Sequence, residues 1–425
     1  MKLRDDLRFR GLIHQVTDDA VLEKLSAGGI TAYAGFDPTG PSLHLGHLVP
    51  ILMLRRLQMA GNRPISLAGG GTGLIGDPSF KDTERPLLSA EQIDENLVKI
   101  RAQLGTFLDF DAGSSSAILL NNADWLTKVT LTDFLREVGK HFTVNQMIAK
   151  EAVKSRLSRD DVGISFTEFS YSLLQSYDFL RLHLDYGCTL QIGGSDQWGN
   201  ITMGAELVRK VAGDTAYGLT LPLLLRADGK KFGKSDSGNE NVWLDPERTS
   251  PFAMHQFLLN SDDVLTPQLL RYYTFLSHDE IRDLDEAIAK NPRDRRAQRT
   301  LADEVVAMVH GAEAARAAAR AGEALFGDEI RDLDEQTLLE IVSDAPSSTL
   351  SRSELAAGLD AAELVARSGL ATSLGEARRF LSQGGIYLNN ERIDGTSPID
   401  LTSTLHNRYL VLRRGRRQTH LVIVA

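Results

Sequence analysis

The feature that most narrows the fold lies between Ile30 and Gly69. The segment I-T-A-Y-A-G-F has the small and β-branched character of a buried strand, and D-P-T-G-P forces a turn behind it. After His47, L-V-P-I-L-M-L-R-R-L-Q-M-A-G-N-R-P reads as a helix. Proline is tolerated in a helix only in the first turn, so Pro50 places the helix start close to Gly46, while Gly61 and Pro64 end it. P-I-S-L-A-G is then a second buried strand. Strand, turn, helix, strand is a βαβ unit, and such units bury their faces in a parallel sheet covered by helices. Further strands at Ala117 to Leu120 and Thr189 to Gly193 extend the pattern, so residues 1–220 read as a Rossmann-like, doubly wound α/β domain.

The remaining chain has other plans. A length of 425 residues exceeds one core and implies two to four domains of roughly 100 to 200 residues each. Residues 221–326 carry a basic loop and then a helical pattern that ends in the alanine-rich A-E-A-A-R-A-A-A-R-A-G-E-A-L-F-G. Residues 327–355 are acidic and finish in D-A-P-S-S-T-L-S-R-S, the composition of a linker. Residues 356–425 read as a small α+β unit: two short helices, a hairpin I-Y-L-N-N-E-R-I with an Asn-Asn turn, and the strand pair around R-R-G-R-R.

Charge and cysteine content exclude several classes. A net charge of −10 argues against diffuse nucleic-acid binding, yet no Asp or Glu follows Leu401 while Arg408, Arg413, Arg414, Arg416 and Arg417 are all present. The single cysteine, Cys188, rules out an internal disulfide and a multi-thiolate zinc site, and D-Y-G-C-T-L-Q-I makes it a core thiol. The N-terminus M-K-L-R-D-D-L-R-F-R-G-L is too charged for a signal peptide, and no stretch approaches about 18 apolar residues, so a cytoplasmic location is expected.

Two glycine-rich segments resemble nucleotide motifs without matching them. G-T-G-L-I-G (71–76) follows a strand, but Pro78 disfavours the helix that a dinucleotide site opens at its third glycine. D-G-K-K-F-G-K-S (228–235) ends like a P-loop, yet Asp228 stands where the first glycine belongs. By itself it is a solvated basic loop, and Lys231 and Lys234 become a phosphate clamp only in company.

That company is P-S-L-H-L-G-H. His44 and His47 flank a helix start behind a strand, where orphan backbone N–H groups favour phosphate and imidazoles can stabilise charge developing at phosphorus. Taken alone the pair reads first as two satisfied core histidines, and a metal site lacks a third ligand nearby. A second stripe is formed by Tyr171, Gln175 and Asp178, spaced to share one face of a helix whose other sides carry Leu173, Leu174, Phe179 and Leu180. A polar stripe on an otherwise apolar helix suits the lining of a pocket.

P-S-L-H-L-G-H resembles the HIGH signature of class I aminoacyl-tRNA synthetases, with Leu45 in place of isoleucine, and K-F-G-K-S resembles their KMSKS loop. With Y-A-G-F-D-P-T, G-D-P-S-F-K-D-T-E-R, Y-S-L-L-Q-S-Y-D-F and G-G-S-D-Q-W-G-N, the chain looks like the bacterial tyrosyl-tRNA synthetase family over nearly its whole length. Phe80 departs from the D-P-S-G-K pattern of many relatives. The resemblance implies a catalytic α/β domain, an α-helical domain facing the anticodon arm, and an S4-like RNA-binding domain at 356–425.

It also implies roles for individual residues. Tyr33 and Asp178 would bind a substrate phenol, Tyr171, Gln175 and Asp77 its α-ammonium group, and Gln197 its carboxyl. Thr39, His44 and His47 would meet the ATP phosphates, and Lys231, Lys234, Lys81 and Arg85 the departing pyrophosphate. Asp37, Gly46, Gly194 and Asp196 would hold nucleotide or adenylate, with Lys234 also at the ATP. Arg378, Arg379, Arg413, Arg414, Arg416 and Arg417 would contact RNA, and Lys150, Lys154 and Arg156 would guide an acceptor stem. ATP with Mg²⁺ is the implied co-substrate, with no tightly bound cofactor and no metal held by the protein. L-tyrosine, tRNA(Tyr) and a second copy of the chain are the implied partners, and no membrane is. The alternatives are a tryptophanyl-tRNA synthetase, a catalytically inactive RNA-binding relative, and an H-x-G-H nucleotidylyltransferase.

Overall fold

The computed structural model describes residues 2–425 apart from 78–87, 151–152, 155–156, 158–163, 226–231, 233–240, 327, 332, 343–344 and 416–417. Phe80, Lys81, Arg85, Arg156, Lys231, Lys234, Arg416 and Arg417 therefore lie outside the described residues. The chain forms two units, Met1–Arg248 with Ser261–Leu301 and Thr249–Asn260 with Ala302–Ala425.

The first unit is built on a six-stranded sheet. Its strands are β1 (Gln15–Val16), β2 (Thr31–Phe36), β3 (Arg63–Ala68), β4 (Ile118–Asn121), β5 (Cys188–Gly194) and β6 (Tyr217–Leu221), in the order β1-β6-β5-β2-β3-β4. All pairs are parallel except β1 with β6. From β2 the chain winds outward through β3 and β4, then crosses back to place β5 and β6 on the other side of β2. With right-handed crossovers this reversal puts the connecting helices on opposite faces and opens a crevice at the carboxyl ends of β2 and β5.

The βαβ unit expected at 30–68 is β2, the helix Leu45–Met59 and β3. Leu45, Leu48, Ile51, Leu52, Met53, Leu54 and Leu57 of that helix are all buried, each stabilising the unit by about 1.5 to 3 kcal/mol. One detail differs from expectation: the helix starts at Leu45, so Pro50 falls in its second turn rather than its first. Proline there has no N–H for the Gly46 carbonyl, so the first turn is held by fewer intrahelical bonds. Helix Phe166–Tyr186 begins behind a Ser165 cap and ends at Gly187, whose φ of 64° is the left-handed cap that glycine supplies without strain.

The expected boundaries at 220, 326 and 355 are not those of the fold. Helices Thr266–Tyr273 and His278–Lys290 belong to the first unit. Arg10 donates to the carbonyls of Arg271, Thr274 and Leu276, and Arg56 donates to those of Arg271, Tyr272 and Thr274. These partners are more than 200 residues apart in sequence for both arginines, which is why local composition did not reveal them.

The second unit holds a five-stranded sheet, β7 (Ser347–Leu350), β8 (Ile386–Leu388), β9 (Glu391–Arg392), β10 (Tyr409–Arg414) and β11 (Gln418–Val424), in the order β7-β11-β10-β8-β9. Here the linker expectation fails: β7 pairs parallel with β11, and Ile330, Leu338, Ile341 and Val342 share a buried core with Leu405, Tyr409, Val411 and Leu421. Of the acidic residues of 327–355, the described Asp334, Glu335 and Glu354 are exposed, around a packed segment and not a spacer. The expected hairpin is β8 and β9, joined through Asn389 and Asn390 at φ 48° and 68°. Two successive left-handed residues make the primed turn that suits a twisted hairpin, and asparagine tolerates it.

Candidate active site

Every described residue assigned to the cleft by sequence lines one cavity of about 830 Å³ at the carboxyl ends of the first unit's strands. Asp37, Thr39, His44, Gly46 and His47 come from the β2 connection and Asp77 from that of β3. Gly194, Asp196 and Gln197 come from the end of β5 and the turn behind it, Tyr33 from β2 itself, and Tyr171, Gln175 and Asp178 from helix Phe166–Tyr186. The glycine-rich segment 71–76 forms a 3₁₀ turn, Thr72–Leu74, and not a helix start, in line with the rejected dinucleotide motif. Added Cβ atoms would meet Asp37 Oδ1 at 2.0 Å from Gly69 and Asn121 Oδ1 at 2.3 Å from Gly70, so these glycines let the loop close onto its polar neighbours. At Gly35 an added Cβ would meet nothing within 4 Å: the cleft begins directly above the β2 backbone.

The deep end of the cleft is organised around Asp178. Its carboxylate is 2% exposed and accepts from Asn122 Nδ2 at 2.9 Å and from the Trp125 indole N–H at 2.7 Å. Burial pushes this carboxyl up to about 7, against the pull of those two donors. Asn122 also donates to Thr72 Oγ1, whose hydroxyl donates to Asp37. Tyr33, 1% exposed, has a hydroxyl with no hydrogen-bond partner among the described residues, and burial, with the nearby Asp178 charge, pushes that phenol well above its ordinary value. A buried acceptor ringed by N–H donors and an unpartnered phenol make a site for one more hydroxyl, which would donate to Asp178 and pair with Tyr33.

A second polar group lies along the same helix. Tyr171 donates to Asp37 Oδ2 at 3.0 Å, and burial and the Asp37 charge raise its phenol. Gln175 Nε2 donates to Gln197 Oε1 at 3.2 Å, and Gln197 Nε2 donates to Asp77 Oδ2 at 2.6 Å. Gln197 thus uses its oxygen and an N–H on neighbours, while Gln175 uses an N–H and leaves its oxygen over. Gln175 Oε1 is buried without a partner among the described residues. That oxygen and the Asp77 carboxylate suit a cation with several N–H donors, such as an ammonium.

The histidines line the same cavity. Their rings stack at 3.8 Å between centroids. His44 Nδ1 accepts from the Gly46 N–H at 3.0 Å, and His47 Nδ1 accepts from the His44 N–H at 3.3 Å. With both Nδ1 atoms accepting, the neutral rings carry their proton on Nε2 and act as donors there. The Leu45 N–H donates to Val242 O and the Leu244 N–H to Leu43 O. Thus residues 242–244 pair antiparallel with the histidine segment through one bridge, His44 with Trp243, and Trp243 is edge-on to His44. The histidine segment and residues 242–244, some 200 residues apart in sequence, are hydrogen-bonded neighbours.

Sequence reasoning missed Asn122, Trp125, Thr72 and Trp243. The first two follow the strand expected at 117–120, at the same carboxyl-end position that marks the other site residues, and that placement was the available signal. Lys150, assigned to an acceptor stem, is half-buried and donates to Asn200 Oδ1 at 3.4 Å. Burial lowers its ammonium to about 7, with the Asp77 charge opposing. Lys154 is exposed. In the second unit Arg378 and Arg379 are exposed on helix Leu374–Ser382, and Arg414 lies over the Phe380 ring and donates to Leu370 O. Arg413 is not an exposed phosphate contact: it is 5% exposed, donates to Asn390 Oδ1 and lies over Tyr387, because β10 is sandwiched between β8 and β11.

Known proteins resemble the chain in both units. A family described as "tRNA synthetases class I (W and Y)" matches residues 25–327, and one described as "Tyrosine--tRNA ligase SYY-like C-terminal domain" matches 338–422. The tyrosine–tRNA ligase of Roseiflexus castenholzii is 51% identical over 98% of both chains, and that of Geobacillus stearothermophilus 48% over 99% of both. A C-terminally truncated mitochondrial tyrosyl-tRNA synthetase of Aspergillus nidulans superposes with a TM-score of 0.69 at 30% identity, covering 76% of this chain and 94% of that one. A Plasmodium falciparum tryptophanyl-tRNA synthetase shares the fold at a TM-score of 0.53 and 15% identity, covering 80% of this chain and 89% of that one.

Proposed function

The chain belongs to the class I tRNA synthetases, in the tyrosine–tRNA ligase family, and we propose on that premise how its cleft activates L-tyrosine with ATP and passes the tyrosyl group to tRNA(Tyr). The observation that carries the assignment of the amino-acid pocket is the pair of buried oxygens without a partner among the described residues, Tyr33 Oη and Gln175 Oε1. The substrate phenol sits between Tyr33 and Asp178, and its ammonium group sits among Tyr171, Gln175 and Asp77. Phenylalanine would leave Tyr33 and Asp178 unsatisfied, and a site of this kind discriminates by about 10⁴ to 10⁵, a range established for this enzyme class rather than worked from this structure.

Gln197 meets the tyrosine carboxyl, and Asp37, Gly46, Gly194 and Asp196 hold the nucleotide. Thr39, His44 and His47 donate to phosphate oxygens as charge builds at the α-phosphorus. The tyrosine carboxylate is already a nucleophile, so positioning and charge stabilisation carry the chemistry without a general base. Lys81, Arg85, Lys231 and Lys234 draw off pyrophosphate, and Mg²⁺ arrives with ATP. Arg378, Arg379 and Arg414, with Arg416 and Arg417, form the RNA-facing part of an S4-like C-terminal unit, while Arg413 serves its sheet. The chain works as a homodimer in the cytoplasm. In support of the dimer, Leu131, Leu135, Val144, Ile148 and Phe166 are all exposed large apolar residues within one 36-residue stretch, with Phe166 78% exposed. Among the described residues no helix is long and apolar enough to cross a membrane.

The test is amino-acid-dependent ATP–pyrophosphate exchange with all twenty amino acids. Exchange with tyrosine alone is expected. Exchange with tryptophan and not tyrosine would assign the pocket to the other amino acid of the family, and no exchange would leave an RNA-binding protein that kept the fold.

A further inference from the structure

The start of helix Leu45–Met59 carries both histidines and lacks one of its backbone hydrogen bonds. Pro50 offers no N–H to the Gly46 carbonyl, and its ring crowds that carbonyl. Beside the caps made by the His44 and His47 rings themselves, contacts from outside the helix converge on Leu45, the residue between His44 and Gly46. The Leu45 N–H donates to Val242 O at 3.0 Å, and the Leu45 carbonyl accepts from the Tyr273 hydroxyl at 2.8 Å. Tyr273 is fully buried at the end of helix Thr266–Tyr273. Its ring lies 6.4 Å from that of Phe232, the buried aromatic inside K-F-G-K-S. One tyrosine therefore touches both signature segments, by its hydroxyl on one side and its ring on the other. Toward the other end of helix Leu45–Met59, Arg56 is bound to the carbonyls of Tyr272 and Thr274, so residues 272–274 hold that helix near both its ends and Tyr273 is the tie beside the chemistry.

We propose that Tyr273 is a positioning residue for adenylate formation: its hydroxyl fixes the Leu45 carbonyl, and through it the placement of His44 and His47 at the cleft wall. The inference rests on the proposed activation of tyrosine by ATP. It concerns a residue that touches neither substrate, and its effect is specific to the step in which the histidines meet developing charge. Binding of tyrosine uses the Asp178 end of the cleft and is not involved.

Tyr273→Phe removes only the hydroxyl and keeps the ring against Phe232. The neighbouring Tyr272 supplies the control, because its hydroxyl donates to Gly11 O and accepts from Gln268, away from the histidines. Both variants lose one hydroxyl that donates to a backbone carbonyl. In full-length protein, single-turnover formation of tyrosyl-adenylate is measured at saturating ATP and tyrosine, together with the tyrosine dissociation constant. Tyr273→Phe is expected to slow adenylate formation roughly tenfold, the order expected for a small misplacement of catalytic groups, with tyrosine affinity unchanged and Tyr272→Phe at the wild-type rate. The proposal is overturned if Tyr273→Phe forms adenylate within twofold of wild type, or if Tyr272→Phe is slowed equally. Failure of the wild-type protein itself to form tyrosyl-adenylate would instead overturn the proposed function.

Discussion

Trp125→Phe tests the account of the phenol pocket most directly. The indole N–H donates at 2.7 Å to a carboxylate that burial has already pushed up to about 7. A hydrogen bond to a buried charge is worth about 1.5 to 3 kcal/mol, so its loss raises the Asp178 value by about one to two units at 1.36 kcal/mol each. Near pH 7.5 the wild-type carboxyl is about three-quarters ionised, and in the variant only about a quarter to a thirtieth remains so. If the substrate phenol donates to ionised Asp178, tyrosine binds roughly 3- to 25-fold more weakly at that pH. The assay is the tyrosine dissociation constant from about pH 6 to pH 9, a window below the titration of the tyrosine phenol. Wild-type affinity is expected to rise as pH rises through about 7, and the variant's midpoint to move upward by one to two units. A midpoint that stays where it was, or a wild-type affinity that ignores pH, would refute the role given to the carboxylate. Without substrate the sign reverses. The folded value lies above the ordinary 3.8, so Asp178 contributes stability fully present below about 4 and lost as pH rises through about 7. The free protein should therefore gain stability near neutrality when Asp178 is replaced by Asn.

Three other outcomes follow from the geometry. His44→Ala removes a donor proposed to act on phosphate only as charge develops, and should lower the exchange rate by about 10² to 10³ with little change in tyrosine affinity; a matching loss of affinity would place the ring in the amino-acid pocket instead. Gly35→Val places a side chain in the open space above β2 and should raise the ATP KM while leaving thermal stability near wild type; an unchanged KM would show that the nucleotide does not use that space. Arg378→Ala with Arg379→Ala, on an exposed helix face, should weaken tRNA charging and reduce its salt dependence by about one or two released counterions while leaving adenylate formation intact; equal loss in both steps would point to misfolding of the second unit. Point changes are the better probe there, since a cut at 356 would strip β7 from β11.

Much of the site was legible in the chain because it depends on neighbours in sequence. The βαβ unit at 30–68, the Asn-Asn hairpin and the polar stripe on helix Phe166–Tyr186 follow from periodicity and turn chemistry, which act over a few residues. The cleft's location follows too, because a parallel sheet that reverses its winding must open a crevice where β2 and β5 end. Pro50 was read correctly as a mark of the helix start and incorrectly as a first-turn residue, since its tolerance depends on what replaces the missing hydrogen bond.

What only the tertiary structure decided are the pairings between distant segments. Arg10 and Arg56 draw helix Thr266–Tyr273 into the first unit, and β11 recruits residues 347–350 that look like a spacer in composition. Arg413 is charged like its neighbour Arg414, yet it is enclosed by Asn390 and Tyr387. Asn122 and Trp125 gain meaning only where they converge on Asp178, and Tyr273 only where it reaches Leu45. Burial and hydrogen-bond partnership across long loops are properties of the assembled core. They set the Asp178 carboxyl near neutrality and hold the histidines in place, and no local pattern of residue types encodes either.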